Sequence, residues 1–243
     1  MRALSAILNE EDFMYNKCES FKIKGRAYNM IILKEDFYGR ETLKVAKELL
    51  GKYLIHDIDG KLVGGKIVET EGYLGINDKA AHVYGGKKTP RVMPMYGKAG
   101  NAYIYSIYGM YYCLNAITVR EGEPQGVLIR AIEPLIGLDY ISEKRYKKNY
   151  VELTKKEKLN LTSGPSKLCL ALNLTKNEND KLLWGNSLFI ADYDKEIENL
   201  IENKEEKIGK IIEAKRIGID YAEEAKDYLY RFYYKDNPYV SKK

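Results

Sequence analysis

Five runs of alternating, β-branched and aromatic residues follow one another at 52–55, 62–73, 102–107, 111–119 and 127–132. The turn pair Asp59-Gly60 and stretches rich in glycine and proline separate them. Strand signals this closely spaced leave little chain for crossover helices, so the pattern predicts a mostly antiparallel sheet. Ahead of the sheet, Leu43, Ala46, Leu49 and Leu50 recur at helical spacing over 41–50, with Gly51 placed to end the helix. Beyond it, Ser163-Gly164-Pro165 reads as the start of a helix running through Leu168, Cys169 and Leu172. Residues 139–161 bunch Lys144, Arg145, Lys147 and Lys148 and read as a surface helix plus loop, a tolerated insertion. The mixed charges of 196–210 read as a solvated segment, and aromatics gather over 228–234. Residues 1–34, with no sustained period, are expected to be an N-terminal extension of uncertain order. That leaves 35–243 as a single mixed α+β domain.

Composition narrows the class. The 243 residues are 45% hydrophobic and 31% charged, enough apolar surface for a sizeable core and unlike a disordered chain. No apolar run approaches the ~18 residues that span a bilayer. The apolar stretch from Ala3 to Leu8 is cut off by Asn9, Glu10, Glu11 and Asp12, unlike a secretion signal, so a cytoplasmic protein without a membrane partner is expected. Three scattered cysteines, Cys18, Cys113 and Cys169, make no disulfide framework, and with only His56 and His82 no zinc cluster fits. No metal and no cofactor are expected. The formal charge of +5 is mild, and the 22 tyrosines have an ordinary explanation in A/T-rich coding.

Chemistry could sit at several places. In a strand over 66–73, Ile67, Glu69, Glu71 and Tyr73 share one face, with successive same-face residues ~6.7 Å apart. Two carboxylates so placed serve acid–base chemistry or simply decorate a solvated edge. His82, after Ala80 and Ala81, is either a structural imidazole or part of a site. The stretch 85–100 holds Lys87, Lys88, Arg91 and Lys98 and no acidic residue, which suits nucleic acid or an ordinary surface loop. Most informative is the tyrosine-rich run 103–112, where Gly109 breaks two strand patterns and makes Tyr108-Gly109-Met110 a hairpin tip. Large side chains at such a tip suit insertion into a base stack, and a partner-protein surface is the competing reading. Asn115 is a polar residue on an inward parity, and Arg130 is a permanent cation in an apolar strand that needs an anion, Glu71 or Glu69.

With these residues the chain resembles the 3-methyladenine DNA glycosylases of the alkyladenine glycosylase type. The likeness rests on 67–75, on Asp78-Lys79-Ala80-Ala81-His82, on Lys88-Thr89-Pro90-Arg91, on 104–115, on 127–134, on 163–169 and on Arg216-Ile217-Gly218-Ile219. It runs from about residue 37 to 234. Gly72 stands where that family commonly has alanine, and Ile76-Asn77 departs from its proline-containing turn. The resemblance implies a curved antiparallel sheet core with surrounding helices and a protruding β-hairpin that inserts into DNA. It implies a monomeric, monofunctional glycosylase that acts on double-stranded DNA containing damaged purines and starts base excision repair. It casts Glu71 as general base, with Arg130 holding Glu71 and the water. Tyr73, His82 and Tyr105 would enclose the flipped base and Asn115 would disfavour guanine. Tyr108 would be the wedge, and Met110, Lys87, Lys88 and Arg91 would contact DNA. Two rival readings from the residues are a non-catalytic nucleic-acid-binding module and an O-glycoside hydrolase.

Overall fold

The structure, a computed structural model, describes residues 19–23, 26–193 and 209–242. The expectations for 1–18 and for most of 196–210 lie outside the described residues. Strands β3 (Tyr53–Ile58), β4 (Lys61–Tyr73), β5 (Ala102–Ile107), β6 (Tyr111–Thr118) and β7 (Gln125–Ile136) stand where the alternating runs placed them. Ahead of them come β1 (Glu19–Ile23), β2 (Arg26–Ile32) and two helices, α1 (Glu35–Tyr38) and α2 (Thr42–Glu48). After them come α3 (Leu138–Tyr146), α4 (Lys155–Leu159), α5 (Pro165–Ala171), β8 (Leu188–Tyr193), β9 (Ile211–Ala214) and β10 (Arg231–Tyr234).

The result is the expected mixed α+β architecture built on one antiparallel sheet. Among the described residues, eight strands run in the order β1-β2-β8-β3-β4-β7-β6-β5, and β10, off this path, pairs with both β4 and β9. Strand β2 pairs with β8, so residues 26–32, set aside at the sequence level as part of an extension, join the sheet. Among the described residues no helix is long and apolar enough to cross a membrane.

One face of the sheet carries the main core. Val63, Ile67, Ile104, Leu114, Val127 and Ile129 pack there against Val45, Ala46 and Leu49 around α2 and Leu168 and Cys169 of α5. The Glu41 side chain caps α2 by accepting from the Leu43 and Lys44 amides, both at 3.2 Å. The stretch 139–161 is no detachable insertion. Ile141, Leu153 and Leu161 are buried in the main core, so its charges are one face of a segment whose other face is apolar.

Strand β4 is the centre of the sheet. Its first half pairs with β3 and Glu69 to Glu71 pair with β10 on the same edge, while β7 runs along the other edge from Gly64 to Tyr73. At Gly64 and Gly65 the neighbouring backbones come so near that a Cβ would overlap the Leu54 and Glu133 carbonyls. Further on, the β4–β7 register shifts on both sides of Glu69. This β-bulge overturns the expectation that Ile67, Glu69, Glu71 and Tyr73 share a face. Ile67 faces the main core, as does Thr70, whose hydroxyl donates to the Ala46 carbonyl at 2.7 Å, and a Cβ on Gly72 would meet Leu43. The extra residue turns Glu71 and Tyr73 to the opposite face, away from the helices.

Candidate active site

On that opposite face the loops of 75–100 and 217–225 rise around a cavity of about 530 Å³. Tyr73, His82, Tyr103, Tyr105, Asn115 and Arg130 line it, and Tyr108 stands at its edge. These come from β4, β5, β6, β7 and one loop, so antiparallel register brings them together: Tyr103 lies opposite Asn115, and Asn115 opposite Leu128. The Asn115 amide donates to the Tyr103 carbonyl at 3.2 Å, which fixes the side chain that faces the cavity.

Glu71 lies one layer lower. It is fully buried and does not itself line the cavity; Tyr73, Arg130 and Ile217, which do, form the floor above it. The Tyr73 hydroxyl donates to Oε2 at 2.8 Å, the Ile217 amide donates to Oε1 at 2.8 Å, and Arg130 Nη1 lies 3.2 Å from Oε1. Burial, then Glu71, raises the Tyr73 pKa well above the ordinary phenol, so the hydroxyl stays a donor. Arg130 also reaches Glu69 through Nε at 3.3 Å, so both of the anions expected for it are its partners. Burial opposes its charge, but Glu71 and Glu69 outweigh burial and raise its pKa.

The aromatic wall is tightly packed. The His82 and Tyr105 rings meet edge to face at 4.5 Å, and Tyr103 stacks on Tyr105 at 5.3 Å. Burial, then Arg91 and Lys87, lower the His82 pKa to about 4, so the imidazole is neutral at pH 7. Its Nδ1 lies 2.9 Å from the Tyr103 hydroxyl. This shift has a measurable consequence. The unfolded chain takes up the His82 proton near the ordinary value of about 6.5, whereas the folded chain resists until about 4. The folded pKa is depressed, so the stability tied to the neutral ring is fully present above that unfolded value and is lost as pH falls towards the folded one. Denaturant titrations of wild type and His82→Gln at pH 7, 5.5 and 4.5 should therefore show a steeper acid loss in the wild type. Parallel losses would reject the shift.

The residues that the sequence led us to expect at a DNA surface separate into two groups. Tyr108 (89% exposed) and Met110 (69% exposed) occupy the turn between β5 and β6. Tyr108 at φ 52 and Gly109 at φ 72 both adopt the left-handed conformation that primed hairpin turns require. A bulky non-glycine residue held there is strained, and such strain gathers at working sites. Lys87 and Lys88 are exposed on the loop. Arg91 is exposed but bends back to the wall, its guanidinium 5.5 Å from the Tyr105 ring and Nη2 3.3 Å from the Ser106 carbonyl.

Four contributors carried no assigned role at the sequence level. Tyr103 shares the parity of Tyr105 and could have been found by it. The Arg216-Ile217 pair lay in a quoted motif without a function: Ile217 holds Glu71 from above, and Arg216 forms a buried ion pair with Asp78 while lying 4.7 Å over the Tyr73 ring. The fourth is Asp78 itself, which also accepts from the Leu74 and Ala80 amides at 3.0 Å each.

A family model described as methylpurine-DNA glycosylase matches residues 36–238. A relative from Clostridium acetobutylicum is 54% identical over 206 residues, covering 85% of this chain and 95% of its own length. One from Clostridium tetani is 54% identical over 212 residues, covering 87% and 99%, and one from Desulfitobacterium hafniense is 52% identical over 211 residues, covering 87% and 98%. Each is provisionally named 3-methyladenine DNA glycosylase.

Proposed function

The chain belongs to the methylpurine-DNA glycosylase family, and from that membership we infer that it excises alkylated or deaminated purines from duplex DNA as a monofunctional glycosylase. The observation that carries the mechanism is a carboxylate, Glu71, held by three donors directly beneath an aromatic cavity.

A stacked base hides its glycosidic bond, so the nucleotide must first rotate outward at a cost of a few kcal/mol, less where damage has weakened pairing. Tyr108 at the hairpin tip fills the gap left behind. The extruded base enters between Tyr73, His82 and Tyr105, where stacking contributes ~1–3 kcal/mol per ring. A cationic alkylated purine gains most there, because electron-rich phenol faces attract positive charge. Asn115, fixed by Tyr103, crowds the position where guanine carries its 2-amino group. Lys87 and Lys88 meet phosphates on the flank, and Met110 supports the wedge.

Hydrolysis then breaks the C1′–N bond, whose electron pair leaves with the base, while a water oxygen bonds to C1′ and passes its proton to Glu71. Oε1 is committed to Arg130 and the Ile217 amide, which leaves Oε2 as the acceptor. Water reaches Oε2 when the Tyr73 hydroxyl shares or yields it, so Tyr73 is both a wall of the pocket and the cover of the base. The carboxylate also stabilises positive charge building on the sugar. No lysine is among the residues that line the cavity, and the reaction uses no amine nucleophile.

Incubating the protein with duplexes that each carry one 3-methyladenine, 7-methylguanine, hypoxanthine or ethenoadenine tests this. Free base should appear, the abasic strand should stay intact, and borohydride should trap no covalent complex. Absence of free base from all four duplexes would reject the activity, and a trapped complex would reject the monofunctional mechanism.

A further inference from the structure

The polar network under the cavity floor extends past the residues the reaction touches. Glu69, fully buried on β4, receives Arg130 Nε at 3.3 Å, Arg231 Nη1 at 2.8 Å and the main-chain N–H of Ser241 at 2.7 Å. Arg130 divides its fork three ways: Nε to Glu69, Nη1 to Glu71 at 3.2 Å, and Nη2 to the Ser241 hydroxyl at 3.4 Å. Arg231 Nη1 also donates to the Lys242 carbonyl at 2.8 Å, and Val240 is buried. Residues 240–242 lie beyond the 36–238 matched to the family.

A guanidinium placed between two carboxylates has a choice. It can split its planar fork, as here, or turn to grip one carboxylate with two parallel bonds, which is the stronger single contact. What removes the incentive to turn is that Glu69 is already satisfied: Ser241 occupies Oε2 and Arg231 shares Oε1. Take away the Ser241 N–H and a buried carboxylate oxygen loses its donor, a costly state most readily relieved by rotating Arg130 fully onto Glu69. Nη1 would then leave Glu71.

Resting on the reading that Glu71 activates water, we propose that Glu69 and the segment 240–242 are positioning residues that hold Arg130 against Glu71. The C-terminal segment sets the geometry of the base without touching DNA or the cavity.

The test removes the main-chain donor. Ser241→Pro deletes the N–H, and a chain ended after Val240 deletes it together with the hydroxyl and the Lys242 carbonyl. In single-turnover assays on a lesion duplex each should release base about 10- to 100-fold more slowly than wild type, with the Kd for the duplex changed by less than about twofold. Ser241→Ala, which keeps the N–H, should lose no more than about threefold. Each protein is assayed well below its own unfolding midpoint, and the shortened chain, which keeps the buried Val240, serves if the proline variant does not fold. Release at the wild-type rate in either would overturn the inference. So would equal losses in rate and DNA affinity, or an alanine variant as slow as the proline one. Failure of the wild-type protein to release base is a different result, which rejects the activity itself.

Discussion

Replacing Glu71 with glutamine is expected to leave lesion binding intact and to reduce single-turnover base release by about 10²–10⁴-fold, the usual worth of a general base. The substitution is nearly isosteric, and the surroundings accept it. The glutamine carbonyl can face the Ile217 amide and Arg130, which donate to Oε1 in the native site. Its NH2 then points at the Tyr73 hydroxyl oxygen, which can accept. Arg130 keeps Glu69 as a buried counter-ion, so no lone charge is created. The protein should therefore fold, bind and flip, yet lack the group that takes the proton and faces the developing cation. Release within a few-fold of wild type would remove Glu71 from the reaction and turn attention to the hydroxyls of Tyr73 or Tyr105.

Arg216→Met should destabilise the fold by about 3–5 kcal/mol, the typical consequence of leaving a buried charge unpaired. The Arg216 and Asp78 side chains are both buried and are joined at 2.5 and 2.8 Å. Burial opposes the guanidinium charge, and Asp78 more than compensates, raising the Arg216 pKa. Arg216 further donates to the Gly72 and Ala225 carbonyls, tying β4 to the 217–225 loop, and its Nε finds no partner among the described residues. Without it, Asp78 retains the Leu74 and Ala80 amides but no cation. Adding Asp78→Asn to Arg216→Met should recover part of the loss, because the side chain then carries no charge, although its one carbonyl oxygen can accept from only one of the Leu74 and Ala80 amides, which donate to different carboxylate oxygens. Urea midpoints of the two variants at pH 7 measure this. A single variant costing under about 1 kcal/mol, or a double variant no better than the single, would contradict the assignment of the loss to an orphaned carboxylate. Base release by the double variant should stay below wild type, since Tyr73 loses the cation that lies over its ring.

The relation of sequence to structure differs from element to element. Strands β3 to β7, α2, α5 and the hairpin tip were legible because period-two alternation, the placement of Gly51, Pro165 and Gly109, and Asp59-Gly60 act within a few residues. Strand β2 was not, since its place comes from pairing with β8 about 160 positions away. The burial of 139–161 was hidden because its charges outnumber the few apolar residues that anchor it. The bulge at Glu69 left no local mark at all.

From the chain alone came strands β3 to β7, the tyrosine-bearing tip, the need of Arg130 for Glu71 or Glu69, and the family likeness, all carried by residue type and short spacing. Only the folded molecule decided that Glu71 lies beneath the cavity rather than in its wall, and that Arg216 and Asp78, 138 positions apart, pin Tyr73. It also brought Ser241 back to Glu69 across 172 positions. Contacts of that kind follow from which backbones pack together and which buried charges must then be matched, and a desolvated ion selects its partner in space, whatever the distance along the chain.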